Sequence, residues 1–271
     1  MKITLVVNAK KREAGTYATL IERYLETRGV QVRALYSEQY TRDDFEDADA
    51  IITIGGDGTM LRLAGVLRGQ DIPLLGVNAG HLGYLTQVSQ KEQLPGALEQ
   101  LLTHAYTRDV RSMLHGSVRR RDEVISRGTA LNEILISRGE GINVIRFKVL
   151  CDGETLGHYT ADGILFTTPT GSTAYNLSAG GPIAAPDTHV IIMTPICAHA
   201  TNSRPVILPD TSQIEVRIDS EHEIVAFDGE HVVRLQPGDI VKVRRANEMT
   251  TLVKLRATSF LETLREKMDH E

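Results

Sequence analysis

The stretch Asp49-Ala50-Ile51-Ile52-Thr53-Ile54-Gly55-Gly56-Asp57-Gly58-Thr59-Met60-Leu61 passes from a β-branched run into three glycines around one carboxylate, then into helical spacing. Ile51, Ile52, Thr53 and Ile54 are stiff at χ1 and suit a buried strand. Met60, Leu61, Leu63, Ala64 and Leu67 recur at helix intervals, with Thr59 the expected cap. Strand, glycine turn and helix N-terminus together make an anion site: glycine lets the backbone approach a phosphate, and the first helical N–H groups carry partial positive charge. Asp57 is the anomaly. A carboxylate there repels the anion unless a metal neutralises it or it takes a proton from an attacking hydroxyl. The plain alternative is a left-handed turn in which Asp57 only caps the helix.

The flanking chain repeats this alternation. Ile3 to Val7 reads as a strand, followed by a helix expected to bury Leu20, Ile21, Tyr24 and Leu25 and to stop at Gly29. Val30 to Leu35, Ile51 to Ile54 and Ile72 to Val77 continue the strands, and the helix with Leu94, Leu98, Leu101 and Leu102 closes this part. Strands alternating with helices predict a mostly parallel, Rossmann-like α/β sheet with ligands at the carboxyl ends of its strands. Gly55 to Gly58 lies at such an end, and so does Asn78 to Tyr84, whose His81 reads as an ordinary hydrogen-bonding loop residue.

From about Arg108 the pattern becomes β-type. Strands are expected at Gly116 to Arg120, Leu131 to Ser137, Val144 to Cys151, Gly163 to Thr168, Ile214 to Ile218, Ile224 to Phe227, Val232 to Leu235, Ile240 to Arg244 and Thr251 to Leu255. Asp152-Gly153 and Pro237-Gly238-Asp239 are turns. The expected organisation is an α/β domain over 1–107, a β-rich, sandwich-like domain over 108–257 and a C-terminal helix over 258–271 that returns to the first domain.

With 271 residues, 41% hydrophobic and 24% charged, the chain has the composition of a globular protein with a real core. A net charge of -5 argues against a general nucleic-acid binder. The triplets Lys10-Lys11-Arg12 and Arg119-Arg120-Arg121 read as solvated surface. Cys151 and Cys197 form neither a disulfide framework nor a zinc site, which fits a reduced cytoplasmic setting. The apolar run at the N-terminus is too short for a signal sequence, and no stretch suits a bilayer, so neither export nor a membrane partner is expected.

Two further constellations stand out. Thr167 to Pro182 crowds hydroxyls, Gly171, Tyr175 and Asn176 into one run, an inventory suited to nucleotide recognition, although Thr170 to Thr173 alone would serve as a helix cap. Asn132-Glu133 places an amide and a carboxylate in an apolar run, where acidic side chains are natural acceptors for a ribose diol; a solvent-facing strand is the even alternative. Asp162-Gly163 reads equally as a turn. Walker, complete Rossmann-glycine, HExxH and nucleophile-elbow signatures are absent from the sequence.

GGDGT at 55–59, Asn132-Glu133 and TPTGSTAYNLSAGGPI at 168–183 resemble the NAD kinases. The match continues through PICAHATNSRPVIL at 195–208, Asp228-Gly229-Glu230 and Leu235 to Val243, and so covers most of the chain. The long second motif is specific, whereas GGDG alone is shared with lipid kinases and phosphofructokinases. The resemblance implies ATP-dependent phosphorylation of the 2′-hydroxyl on the adenosine ribose of NAD, a divalent metal, magnesium, carried by the nucleotide, and a homodimer or homotetramer. It implies that Asp57 is the general base and that Gly58 and Arg62 line the phosphate side. Asn132 and Glu133 would hold ribose and base edges. Asp162 with Thr173, Ala174, Tyr175, Asn176, Leu177 and Ser178 would contact the nicotinamide and adenine halves. No protein metal ligand is assigned. Where some bacterial members carry a basic residue two positions before the motif aspartate, this chain has Thr160, which leaves selectivity between NAD and NADH open. The rival readings are a diacylglycerol- or sphingosine-type lipid kinase, whose GTxND-type motif is not seen here, and a non-catalytic NAD sensor, which would gain nothing from Asp57.

Overall fold

Aliphatic runs alternating with amphipathic stretches build the first part of the chain. The computed structural model describes residues 1–37, 39–79, 83–139, 142–199, 203–256 and 259–268. Two compact units emerge: Met1–Val110 with Met249–Glu271, and Arg111–Glu248.

The first unit contains β1 (Lys2–Val7), α1 (Ala14–Glu26), β2 (Gln31–Leu35), β3 (Ala50–Gly55), α2 (Asp57–Leu67), β4 (Leu74–Asn78) and α3 (Leu94–Leu102). Its strands are parallel in the order β2-β1-β3-β4. Ile52 and Ile54 pack with Leu5, Val7, Leu75 and Val77 against α1 and α3. The alternate residues look the other way, where Met60 of α2 sits so close to Gly76 that a Cβ there would lie 2.6 Å from its sulfur. Helices therefore cover both faces, as a parallel sheet requires. The buried stripe of α1 is Ala14, Tyr17, Ala18, Ile21 and Leu25. Burial of Ile21 or Leu25 contributes about 1.5–3 kcal/mol each. Leu20, expected in that stripe, is exposed, because it lies one residue off the i, i+4 line through Tyr17, Ile21 and Leu25. Lys10 to Arg12 are exposed ahead of α1.

The second unit is built from β5 (Thr107–Arg120, which begins in the first unit), β6 (Glu123–Ala130), β7 (Glu133–Arg138), β8 (Ile145–Cys151), β9 (Glu154–Ala161), β10 (Gly163–Thr167), α4 (Tyr175–Ser178), β11 (Val190–Ile196), β12 (Val206–Pro209), β13 (Ile214–Ile218), β14 (Glu223–Phe227), β15 (His231–Arg234) and most of β16 (Ile240–Lys254). One antiparallel sheet runs β12-β11-β10-β7-β14-β15, and a second layer holds β16-β13-β8-β9 with the β5–β6 hairpin. Ile134, Ile136, Ile164, Phe166 and Val225 of the first layer meet Phe147, Val149, Val216, Val241 and Val243 of the second in one core, a sandwich. The last helix, α5 (Phe260–Met268), belongs to the first unit, where the Lys267 ammonium lies 5.2 Å from the centre of the Tyr84 ring.

Several elements differ from expectation. The two strands expected at Ile240 to Arg244 and Thr251 to Leu255 are one strand of 15 residues, β16, because neither Gly nor Pro interrupts Ile240–Lys254. The units accordingly divide at Glu248/Met249 and at Val110/Arg111, where the sequence had placed breaks after 257 and 107. β6, β9, β11 and β12 were not anticipated: β6 and β9 begin on charged, exposed residues, and β11 contains Pro195. Arg120 is not free surface either. Its Nε and Nη2 donate to the two carboxylate oxygens of buried Asp239 at 2.9 and 2.8 Å, fixing the Pro237-Gly238-Asp239 turn.

Glu223 is fully buried, with Oε1 accepting a short bond from the Ser220 hydroxyl and Oε2 without a hydrogen-bond partner among the described residues. Burial pushes its carboxyl up to about 7, against the Ser220 bonds, and the charges of Asp219 and Asp239 push the same way as burial. The native state thus holds this proton more tightly than the unfolded chain, so the contribution to stability is complete below the ordinary carboxylate range and is lost as pH rises through about 7. Glu223→Gln keeps an acceptor for Ser220 and cannot ionise. Thermal melts should differ little between variant and parent near pH 5, with the variant melting several degrees higher near pH 8. Parallel pH dependences in the two proteins would contradict this.

Candidate active site

In the first unit the site starts where β3 ends. Gly55 must be glycine, since a Cβ there would meet Thr59 Oγ1 at 2.3 Å and Asn8 Cβ at 3.1 Å. Gly56 is extended and forms the N-cap, so α2 opens at Asp57, two residues before the expected cap Thr59. Thr59 instead accepts from Asn8 Nδ2 at 3.4 Å. Gly58 is exposed in the first helical turn, and Arg62 is half-buried further along α2.

The Asp57 carboxylate turns to the loop after β4. Its Oδ2 accepts the Tyr84 N–H at 2.7 Å and its Oδ1 the Leu85 N–H at 3.1 Å. The approach is so close that a Cβ on Gly83 would fall 2.0 Å from Oδ1. Thr86 Oγ1 accepts the Gly83 N–H at 3.1 Å and fixes the loop in turn. Asp57 therefore does not cap its own helix, whose N-cap is Gly56: it is a carboxylate locked in orientation by the neighbouring loop, each oxygen keeping a second lone pair. Ala79 N–H donates to Gly55 O at 3.0 Å, joining the two loops. His81, with Gly80 and Leu82, lies outside the described residues.

In the second unit Asn132 and Glu133 sit at the start of β7. The Asp228 carboxylate, on the left-handed turn between β14 and β15, accepts three successive backbone N–H groups: Leu131 at 2.6 Å, Asn132 at 2.8 Å and Glu133 at 3.0 Å. The Asp228 N–H returns a bond to Glu133 O at 3.0 Å. Burial pushes the Asp228 carboxyl up to about 6 despite those three bonds, which favour its charge. Burial first, and the Asp228 charge second, push Glu133 up to about 8. Glu133 Oε2 is buried without a hydrogen-bond partner among the described residues, the mark of a polar atom that a ligand can satisfy.

The hydroxyl-rich run is tied to the same backbone. Thr168 N–H donates to Asn132 O at 2.8 Å, and its hydroxyl donates to Leu131 O at 2.6 Å. A Cβ on Gly171 would lie 2.4 Å from Asn132 O, so only glycine lets the run approach. Asn176 is fully buried: Nδ2 donates to Ser172 O at 3.1 Å and Pro182 O at 2.9 Å, and Oδ1 accepts from the Thr194 hydroxyl at 2.7 Å. Its amide thus holds the segment in shape. Around it Thr173, Ala174 and Leu177 are half-buried, while Tyr175 (44% exposed) and Ser178 remain open, so Tyr175 can offer a ring face.

Asp162 stands apart. It precedes β10, whose other end pairs Thr167 with Glu133, so about 20 Å of strand separates it from Thr168 at ~3.3 Å per residue. It lies 3.5 Å from Arg138 Nη1. Thr160 is on β9, its carbonyl accepting the His199 N–H at 2.9 Å. Ala200 to Asn202, inside the motif at 195–208, lie outside the described residues. Sequence reading gave no role to Asp228, because Asp228-Gly229 after a strand looks like any hairpin turn. Among the described residues no cluster of three or more His, Cys, Asp or Glu is placed to hold a metal, and no helix is long and apolar enough to cross a membrane.

These features meet matching relatives. Residues 36–106 match the ATP-NAD kinase N-terminal domain, and residues 131–255 match the ATP-NAD kinase C-terminal domain. An NAD kinase of Moorella thermoacetica is 36% identical over 98% of this chain and 89% of its own length, and one of Geobacter metallireducens is 40% identical over 84% and 81%. Among solved structures, an NAD kinase from Archaeoglobus fulgidus in complex with ATP aligns with a TM-score of 0.80 at 26% identity, over 99% of this chain and 98% of that one. The fold is also that of yeast NADH kinase complexed with NADH, with a TM-score of 0.89 at 24% identity over 99% and 88%. With both domain models matched in order and relatives this similar along nearly its whole length, the chain belongs to the NAD kinase family, ATP-dependent kinases of NAD.

Proposed function

We propose that this NAD kinase transfers the γ-phosphoryl group of ATP to the 2′-hydroxyl of the adenosine ribose of NAD, with Asp57 as the base. The O2′–Pγ bond forms, the bond from Pγ to the bridging oxygen breaks, ADP leaves with that electron pair, and the hydroxyl proton passes to Asp57. The observation that carries this reading is the locked Asp57 carboxylate at the N-terminus of α2, clamped by the Tyr84 and Leu85 amides. A carboxylate beside a phosphate cradle weakens anion binding and is useful only to chemistry. Phosphoryl transfer needs mostly positioning and charge neutralisation, so the leading amides of α2, with Gly58 and Arg62, support the phosphates. Magnesium enters as part of the nucleotide, bound through its phosphates, as the family resemblance implies.

On the acceptor side, Asn132 and Glu133 hold the ribose and base edges of NAD, and the unpartnered Glu133 Oε2 gains a hydroxyl partner. Thr173, Ala174, Leu177 and Ser178 contact the remainder, with the Tyr175 ring as a stacking face. Asn176 acts through the shape of that segment, and Asp162 contributes away from it. The relatives solved with ATP and with NADH support nucleotide binding by this fold. The family resemblance supports a homodimer or homotetramer, and the free thiols of Cys151 and Cys197 fit the cytoplasm.

Asp57→Asn should lower kcat by roughly 10²–10⁴ while the NAD KM changes little. Near-normal turnover of the purified, folded variant would remove Asp57 from the base role. Gly83→Ala tests the same carboxylate without changing its chemistry: the new Cβ displaces Oδ1, kcat should fall about 10–100-fold, and the melting temperature should drop by several degrees as the Tyr84 and Leu85 bonds are strained. Unchanged kcat in this variant would show that the clamp does not set the reacting geometry.

A further inference from the structure

We infer that Asp228 is the positioning residue that aims Asn132 and Glu133 at the dinucleotide. The inference rests on the reading that those two residues hold NAD. Its basis is a three-into-one arrangement: consecutive N–H groups of Leu131, Asn132 and Glu133 converge on one carboxylate at 2.6–3.0 Å, and the Asp228 N–H closes the ring on Glu133 O. Successive strand residues normally send their N–H groups to opposite sides. Three in a row can point one way only where the strand has not yet begun, and β7 begins at Glu133. The backbone at 131–133 is therefore shaped by Asp228, and the directions of the Asn132 and Glu133 side chains follow from it.

The opposite side of the same backbone is fixed too. Thr168 and the close approach of Gly171 lie against the carbonyls of Leu131 and Asn132, so the segment is held from both sides and cannot slide. Asp228 itself is half-buried, with the carboxyls of Glu133 and Glu230 nearby, and its charge is held by the amides. Asp228→Asn keeps the volume but turns an NH₂ toward the converging N–H groups, leaving at least one without an acceptor. The side chains of Asn132 and Glu133 then lose their aim while the sandwich core, made of other residues, is untouched.

The test measures steady-state kinetics of the full chain with NAD and Mg-ATP varied separately. Asp228→Asn should raise the NAD KM about 10–100-fold and leave the ATP KM within about threefold. The pH profile of kcat/KM for NAD gives a second readout. Removing the Asp228 charge eases ionisation of Glu133, so an alkaline limb set by Glu133, which stands at about 8 in the parent, should move to lower pH. An unchanged NAD KM, or equal rises for both substrates with an unmoved limb, overturns the inference. If Asp228→Asn does not fold, Asp228→Glu, which keeps the charge on a longer arm, is judged by the same split between the two KM values. Asn132→Ala and Glu133→Gln separate the two layers. If they raise the NAD KM and the Asp228 variants do not, the positioning role fails alone; if neither does, the reading of Asn132 and Glu133 fails and takes the positioning role with it.

Discussion

Backbone N–H groups that leave regular structure must find acceptors, and in this protein the acceptors are carboxylates at the two places where chemistry is proposed. Asp57 takes the amides of Tyr84 and Leu85, and Asp228 takes those of Leu131, Asn132 and Glu133. Hydrogen bonds to charged groups are worth about 1.5–3 kcal/mol each, enough to hold an irregular loop in one conformation. The glycines follow from this constraint. Gly83 and Gly171 stand where a Cβ would strike the Asp57 carboxylate or the Asn132 carbonyl, so the sequence is small where the site is tightest.

Each unit supplies what its architecture is suited to give. The parallel sheet of the first presents a helix N-terminus at the end of β3, which is where partial positive charge gathers. The sandwich of the second supplies a rigid interior strand, β7 between β10 and β14, at whose start Asn132 and Glu133 lie. The two carboxyls are used differently. Asp57 stays half-exposed and oriented, whereas burial raises Glu133 to about 8, so the group expected to meet a ribose carries a proton at neutral pH and can donate as well as accept.

Much of this was legible in the residues. Ile51 to Ile54 followed by glycines and a helical stripe could only be a strand feeding a helix, and the neighbouring strands of the first unit followed the same rule. The sandwich was legible where apolar residues alternate, as in Ile214–Ile218, and illegible where strands begin on exposed charge, as in Glu154–Ala161. Arg120 looked like surface because its partner Asp239 lies 119 positions away. Asp228 lies in a matching segment, but its role was hidden for the same reason: it depends on amides 95–97 positions distant. Asn176 was legible as part of a motif, but its burial and three hydrogen bonds were not.

Everything proposed for the two carboxylates turns on which atom accepts the phosphoryl group. Offering the protein Mg-ATP with NAD and a diacylglycerol together, and resolving the products by phosphorus NMR, identifies that atom. One new phosphomonoester is expected, on the 2′-oxygen of the adenosine ribose, formed in step with ADP. Phosphate on the lipid, on another hydroxyl of NAD, or no product while NAD remains bound would overturn this assignment.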